Sequence, residues 1–178
     1  MATRRKQRQE RQEEDGMDEG MEMETENPIE MLKEDHQAVQ DLFSRFEEAD
    51  NRSRQRIADE ALMMLEIHAK LEEDVVYPAI REGVGDDEMI DEALEEHHVA
   101  TMLIKELHKM KPKDERYAAK FKVLSEMVRH HIEEEENETF PQAEKADIDW
   151  SEVGREATKM REKLMRKMGG GQQRKKAA

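Results

Sequence analysis

The 178-residue chain has no cysteine, only 4% aromatic residues, and few prolines and glycines. Without cysteine, disulfides and thiolate metal sites are excluded, and any bound metal must be held by His, Asp and Glu. No run of about 18 apolar residues occurs, so no membrane-spanning helix and no membrane partner are expected. Arg4, Arg5, Lys6, Arg8 and Arg11 form a basic patch near the N-terminus. No apolar stretch follows them, so the segment does not read as a secretory signal. The expectation is a soluble, cytoplasmic protein. Net positive charge is missing too. A formal charge of −15 excludes general nucleic-acid binding, which needs a basic surface.

What the chain has is charge on helix-forming residues. Asp, Glu, Lys and Arg make up 42% of it, and with Ala, Leu and Met they favour an all-α fold. The apolar fraction is 35%, enough for a narrow core with one apolar stripe per helix. Residues 1–26 show no apolar period and read as a disordered charged tail. Asn27, Pro28 and Glu30 then supply a cap, a first-turn proline and an acidic third position.

Four stripes follow. Leu32, His36, Val39, Phe43 and Phe46 recur at steps of 4, 3, 4 and 3. Asp50 to Ser53 reads as a turn. Ile57, Ala61, Met64, His68, Leu71 and Val75 mark helix 2, which Pro78 should bend or end, with Gly83 and Gly85 completing the break. Ile90, Leu94, His97, Thr101, Ile104 and His108 mark helix 3, capped by Asp86 or Asp87 and ended by Lys111-Pro112-Lys113. Tyr117, Phe121, Leu124, Val128, His131 and Glu135 mark helix 4, with Asp114 as its cap. Met63, Met64, Met102 and Met127 read as gap-filling core. Short links make the helices antiparallel. The expected fold is therefore an up-down-up-down four-helix bundle over residues 27–147. An accessory C-terminal helix over 148–168 starts at a capping box, Asp149-Trp150-Ser151-Glu152, and a flexible basic tail covers 169–178.

One pattern occurs twice. His68-x-x-x-Glu72 is followed by Tyr77-Pro78, and His131-x-x-x-Glu135 by Phe140-Pro141. Each stripe also carries at least one histidine. Counted at about 1.5 Å per residue from the helix ends, His36, His68, His97 and His131 fall at nearly one level. Glu72 and Glu135 lie one turn from their histidines on the same faces. His98 and His130 sit about 100° off the seam and belong at the rim, while His108 lies about three turns from His97. Ionised carboxylates in such a layer need compensation, and divalent metal on neutral imidazoles supplies it. Six ligands without sulfur suit two ions bridged by Glu72 and Glu135, with water or hydroxide completing the shells. Iron is the first choice, ahead of Mn or Zn.

At these residues the sequence resembles the hemerythrin-like, HHE cation-binding domain family. The matching pieces are Asp35-His36, His68-x-x-x-Glu72 with Tyr77-Pro78, Glu96-His97, and His131-x-x-x-Glu135 with Phe140-Pro141, over roughly residues 28–145. The resemblance implies a four-helix bundle around a non-haem di-iron centre, two iron ions (Fe2+/Fe3+) bridged by carboxylates and oxo or hydroxo. It implies His36, His68, Glu72, His97, His131 and Glu135 as ligands. Asp35 to Phe43 also parallels Glu96 to Ile104, as in an internal duplication that selects His97 over His98. Oxygen-carrying members place a second histidine on helix 3 one turn after the first. Here that position is Thr101, which argues against oxygen carriage of that kind. The leading expectation is a di-iron protein binding or sensing a small oxidant or gas (O2, NO or peroxide) or iron. A di-iron enzyme that decomposes peroxide or handles nitric oxide is the second. An iron-storage or regulatory protein with a partner on its charged tails is the third. Tyr77 and Tyr117 are core residues with hydrogen-bonding or redox potential.

Overall fold

The structure is a computed structural model that describes residues 27–175; the expectations for residues 1–26 and 176–178 lie outside the described residues. Helix α1 spans Pro28–Glu48, α2 Asn51–Leu71, α3 Tyr77–Val84, α4 Asp87–Leu107, α5 Tyr117–Glu134, α6 Phe140–Ala143 and α7 Trp150–Lys175. Two π-helical turns, Glu72–Val76 and Glu135–Thr139, join α2 to α3 and α5 to α6 without a break. The described chain is thus an all-α bundle with an extra C-terminal helix. No described helix is long and apolar enough to cross a membrane.

The helix starts have local causes. Asn27 accepts from the Ile29 amide at 3.0 Å, with Pro28 in the first turn. Asp50 accepts from Ser53 N at 2.9 Å, so the expected turn at 50–53 is already the opening of α2. Asp86 caps α4 through Met89 N at 3.3 Å, and Asp149 accepts from Glu152 N at 3.0 Å at the start of α7. The expected cap at Asp114 is corrected. Its carboxylate accepts from Lys111 N at 2.8 Å and closes the connecting loop, while α5 begins at Tyr117. Of the two effects expected of Pro78, ending helix 2 does not occur: the π turn before it carries the helix on to Val84, and Gly85 makes the break as expected. α7 continues past 168, the boundary expected from the glycines there.

α1 packs on α2 and α4 on α5, with further contacts between α1 and α5 and between α2 and α4. α7 lies against α2, the first π turn and α1. The apolar interior is split into two clusters. One gathers Val39, Phe43, Phe46, Ile57, Leu62, Ile104, Phe121 and Val128, with Phe46 stacked on Phe121 at 4.0 Å. The other gathers Ile29, Leu32, Val76, Tyr77, Ile80, Ile90, Phe140 and Val153. Each stripe histidine falls between residues of the two clusters: His36 between Leu32 and Val39, His97 between Ala93 and Ile104. A polar layer is therefore sandwiched between two dry ones. Met102, expected in the core, is 46% exposed. Five residues beyond His97, it is turned about 140° from the seam.

Gly85 ends α3 in the left-handed region, at φ 75°. A Cβ meets nothing within 4 Å there, so the strain of a substitution is in the backbone alone. Gly85→Ala should lower unfolding stability by about 1 kcal/mol. The expected reading is a lower denaturant midpoint with an unchanged slope.

Candidate metal centre

The repeated sequence pattern has a repeated backbone consequence. Each π turn begins on the motif glutamate, with Tyr77 N bonded to the Glu72 carbonyl and Phe140 N to the Glu135 carbonyl. Pro78 and Pro141 follow directly. A proline has no N–H and its ring collides with the carbonyl four residues back, so a widened turn just before it relieves the helix. Widening also changes phase. In an α-helix Tyr77 would lie about 140° round from Glu72; absorbing one extra residue reduces this to about 40°. Tyr77 and Phe140 consequently face the same interior as the glutamates, and both are buried.

All six expected residues come together. His36, His68, Glu72, His97, His131 and Glu135 are each at most 7% exposed. His36 Nε2 lies 3.1 Å from His68 Nε2, and His97 Nε2 lies 3.1 Å from His131 Nε2. Glu72 spans the two pairs, with Oε1 3.1 Å from His68 Nε2 and Oε2 3.4 Å from His97 Nε2. Glu135 Oε2 lies 3.4 Å from His36 Nε2 and 3.3 Å from His131 Nε2. Two overlapping clusters can each hold an ion: His36, His68, Glu72 and Glu135, and Glu72, His97 and His131.

Four further carboxylates stand behind the imidazoles. Glu136 lies 2.8 Å from His36 Nδ1 and Glu96 2.7 Å from His131 Nδ1. Asp35 and Glu73 lie 3.4 Å from the Nδ1 atoms of His68 and His97. None of the four had been given a role from sequence, although the signal was present. Asp35 and Glu96 each precede a helix histidine, and Glu73 and Glu136 each follow a motif glutamate. The duplication therefore extends to this outer ring. Its effect at His36, His68 and His131 is to fix tautomers: a carboxylate at Nδ1 takes the imidazole N–H and leaves a lone pair at Nε2, while His97 Nδ1, with Glu73 3.4 Å away, is buried without a hydrogen-bond partner.

Apart from the Tyr77 hydroxyl, the interior then consists of acceptors. Facing Nε2 lone pairs at 3.1 Å repel one another and the nearby carboxylates unless a cation lies among them. Both oxygens of Glu72 and Oε2 of Glu135 are buried with no hydrogen-bond donor. Orphaned carboxylate oxygens beside imidazole lone pairs suit a divalent metal, so the donor set fits one. Protons are the competing cation. Burial alone would push His68 down, but Glu72, Asp35 and Glu135 outweigh it and push it up to about 10. Burial likewise opposes protonation of His97 and His131, and the glutamates beside them raise both. Burial and mutual repulsion push Glu72 up, yet His68 and His97 hold it below the usual carboxylate range. Against burial, His131 and His36 hold Glu135 well below it.

Tyr77 breaks the duplication. Its hydroxyl donates to Glu135 Oε1 at 2.7 Å and lies 3.4 Å from His131 Nε2. Burial, then the charges of Glu135 and Glu72, raise it well above the usual phenol range, so it stays a donor. Its counterpart Phe140 has no hydroxyl and stacks on His36 at 5.9 Å. Tyr117 is remote, packed near Phe46 in the first apolar cluster. His98 and His130 are exposed, as their phase predicts, and His130 pairs with Glu134 at 3.2 Å. His108 pairs with Glu66 at 3.4 Å, outside the layer. A cavity of about 520 Å3 opens onto the layer, lined by the four stripe histidines, Thr101 and apolar residues including Val39, Leu65, Ile104, Val128 and Ile132.

Residues 27–143 match the family model of the hemerythrin HHE cation binding domain. Among solved structures, the chain is similar to a hemerythrin HHE cation binding domain-containing protein from Mycobacterium kansasii. The match has a TM-score of 0.66 at 25% identity, covering 78% of this chain and 86% of that one. No curated protein matches the chain.

Because His68 is pushed up to about 10 and His97 and His131 shift in the same direction, an incoming metal competes with protons on the layer. Metal uptake should therefore release protons. Its apparent affinity should weaken as pH falls from 8 to 6, by roughly tenfold per pH unit for each proton displaced. Calorimetry in buffers of different ionisation enthalpy measures the proton count directly.

Proposed function

The chain belongs to the hemerythrin HHE cation-binding domain family, and from that premise we propose that the buried layer holds a carboxylate-bridged pair of iron ions handling a small oxidant or gas. The observation that carries this reading is Glu72. Its two partnerless oxygens each face a different histidine pair, which is the arrangement a bridging carboxylate needs. His36, His68 and Glu135 would hold one ion and His97 and His131 the other, with Glu72 available to both. Bound iron would supply one-electron redox chemistry and open coordination for O2, NO or peroxide.

The chain's own residues set the conditions for that chemistry. The outer carboxylates hold the imidazoles of His36, His68 and His131 with Nε2 inward. Tyr77 keeps Glu135 Oε1 engaged and offers a hydroxyl proton beside His131. Apolar residues, among them Val39, Leu65, Ile104 and Val128, form part of the cavity wall beside the layer. Thr101 lines the cavity one turn beyond His97, leaving space where a further imidazole would stand. That space favours a second reading, turnover of peroxide rather than storage of a bound gas.

Iron-replete expression should yield about two irons per chain and the near-ultraviolet charge-transfer bands of a ferric pair. Fewer than about one bound transition metal per chain would sink the proposal. Glu72→Ala should lose most of the metal from both positions, and His131→Ala should chiefly deplete one. Oxygen evolution from peroxide, present in the loaded wild type and absent from Glu72→Ala, would establish the enzymatic reading. Loaded protein that evolves none would leave binding or sensing.

A further inference from the structure

The four outer carboxylates are not equally close to their histidines. Glu96 and Glu136 stand at 2.7 and 2.8 Å from Nδ1, and neither is paired with a lysine or arginine among the described residues. Asp35 and Glu73 stand off at 3.4 Å, and each is paired with a cation: Asp35 with Arg161, Glu73 with Lys70 at 3.2 Å. The Asp35 case is the sharper. The same oxygen, Oδ2, faces both Arg161 Nη2 and His68 Nδ1. Arg161 comes from α7, outside the duplicated bundle. Its Nε is buried without a partner, so Asp35 is the side chain on which the guanidinium is spent.

We infer that Arg161 is a positioning residue that weakens His68 as a metal donor by drawing Asp35 away from its Nδ1. A carboxylate closing on Nδ1–H pushes electron density toward Nε2 and strengthens the bond made there. Arg161 competes for that carboxylate with a charge-assisted hydrogen bond. Glu96 and Glu136 show that an outer carboxylate reaches its histidine with no cation to place it. The guanidinium is therefore a restraint on Asp35, and α7 gains a hand in tuning one position of the centre.

The inference rests on the metal-binding reading of the layer, and the test separates the two. Ferrous iron is titrated into the full chain against a chelator of known affinity. In Arg161→Met, Asp35 closes on His68, and one of the two binding steps should tighten about tenfold. The other step should stay within about twofold, and Arg161→Lys should resemble wild type. In an Asp35→Asn background, Arg161→Met should change nothing, because the restrained group is gone. A merely structural arginine predicts the opposite sign, weaker binding as α7 loosens. Weaker or unchanged binding in Arg161→Met therefore overturns the inference, as does an equal effect with and without Asp35. If Arg161→Met does not fold, Arg161→Gln carries the same expectations. A wild type that binds no iron overturns the metal reading and this inference with it. A wild type that binds iron but ignores Arg161 overturns this inference alone.

Discussion

Glu72 and Glu135 are at most 1% exposed, in the middle of a bundle whose adjoining layers are apolar. An uncompensated carboxylate in such a place costs several kcal/mol. The surrounding structure is arranged around that cost. Imidazoles from four helices reach the same level, so each helix must enter the bundle at a depth fixed by its histidine. The apolar clusters above and below offer the charge no polar partner. Metal and proton are rival solutions to one electrostatic problem, and the upward shifts of His68, His97 and His131 measure how strongly the layer demands some cation.

The π turns convert the sequence motif into that geometry. A straight α-helix through residues 68–84 would present Val75 to the core and turn Tyr77 away. The widened turn buries Val76 and Tyr77 and leaves Val75 only partly buried. It also lets the helix pass its proline, so the segment beyond it, Tyr77–Val84, can cover the end of the layer. The proline is thus less a terminator than a marker of where the helix changes register. The same device at Phe140-Pro141 gives the second half the same shape.

How much of this was legible in the sequence depends on the range of the interaction. The stripe of α1 was, because a 4, 3, 4, 3 spacing has one helical reading, and all five of its residues are buried. The meeting of six donors was legible too, since short loops and a rise per residue fix relative depth. The inward turn of Tyr77 was not, because periodicity assumes a constant 3.6 residues per turn and the motif departs from it. The outer carboxylates were visible in the duplication yet gained a role only when ring orientations were known. Arg161 could not have been found, since it meets Asp35 across 126 positions. That contact depends on where α7 crosses the bundle, which no local spacing encodes.

A duplicated motif would by itself make a centre of two equal halves, and this chain undoes that equality at single side chains. Tyr77 occupies one oxygen of Glu135, so that carboxylate offers the layer Oε2 alone, placed between His36 and His131. Phe140 occupies nothing, so Glu72 keeps both oxygens and gives one to each histidine pair. The two glutamates therefore differ in kind, although each follows its histidine by the same four residues. The cations add a second asymmetry, because Arg161 restrains the carboxylate behind His68 while Glu96, its counterpart behind His131, stays close. Two ions in such a site would meet different donor strengths and different neighbouring protons. Chemistry that needs one position to hold a ligand and the other to supply electrons has its inequivalence built into the protein, before any ligand arrives.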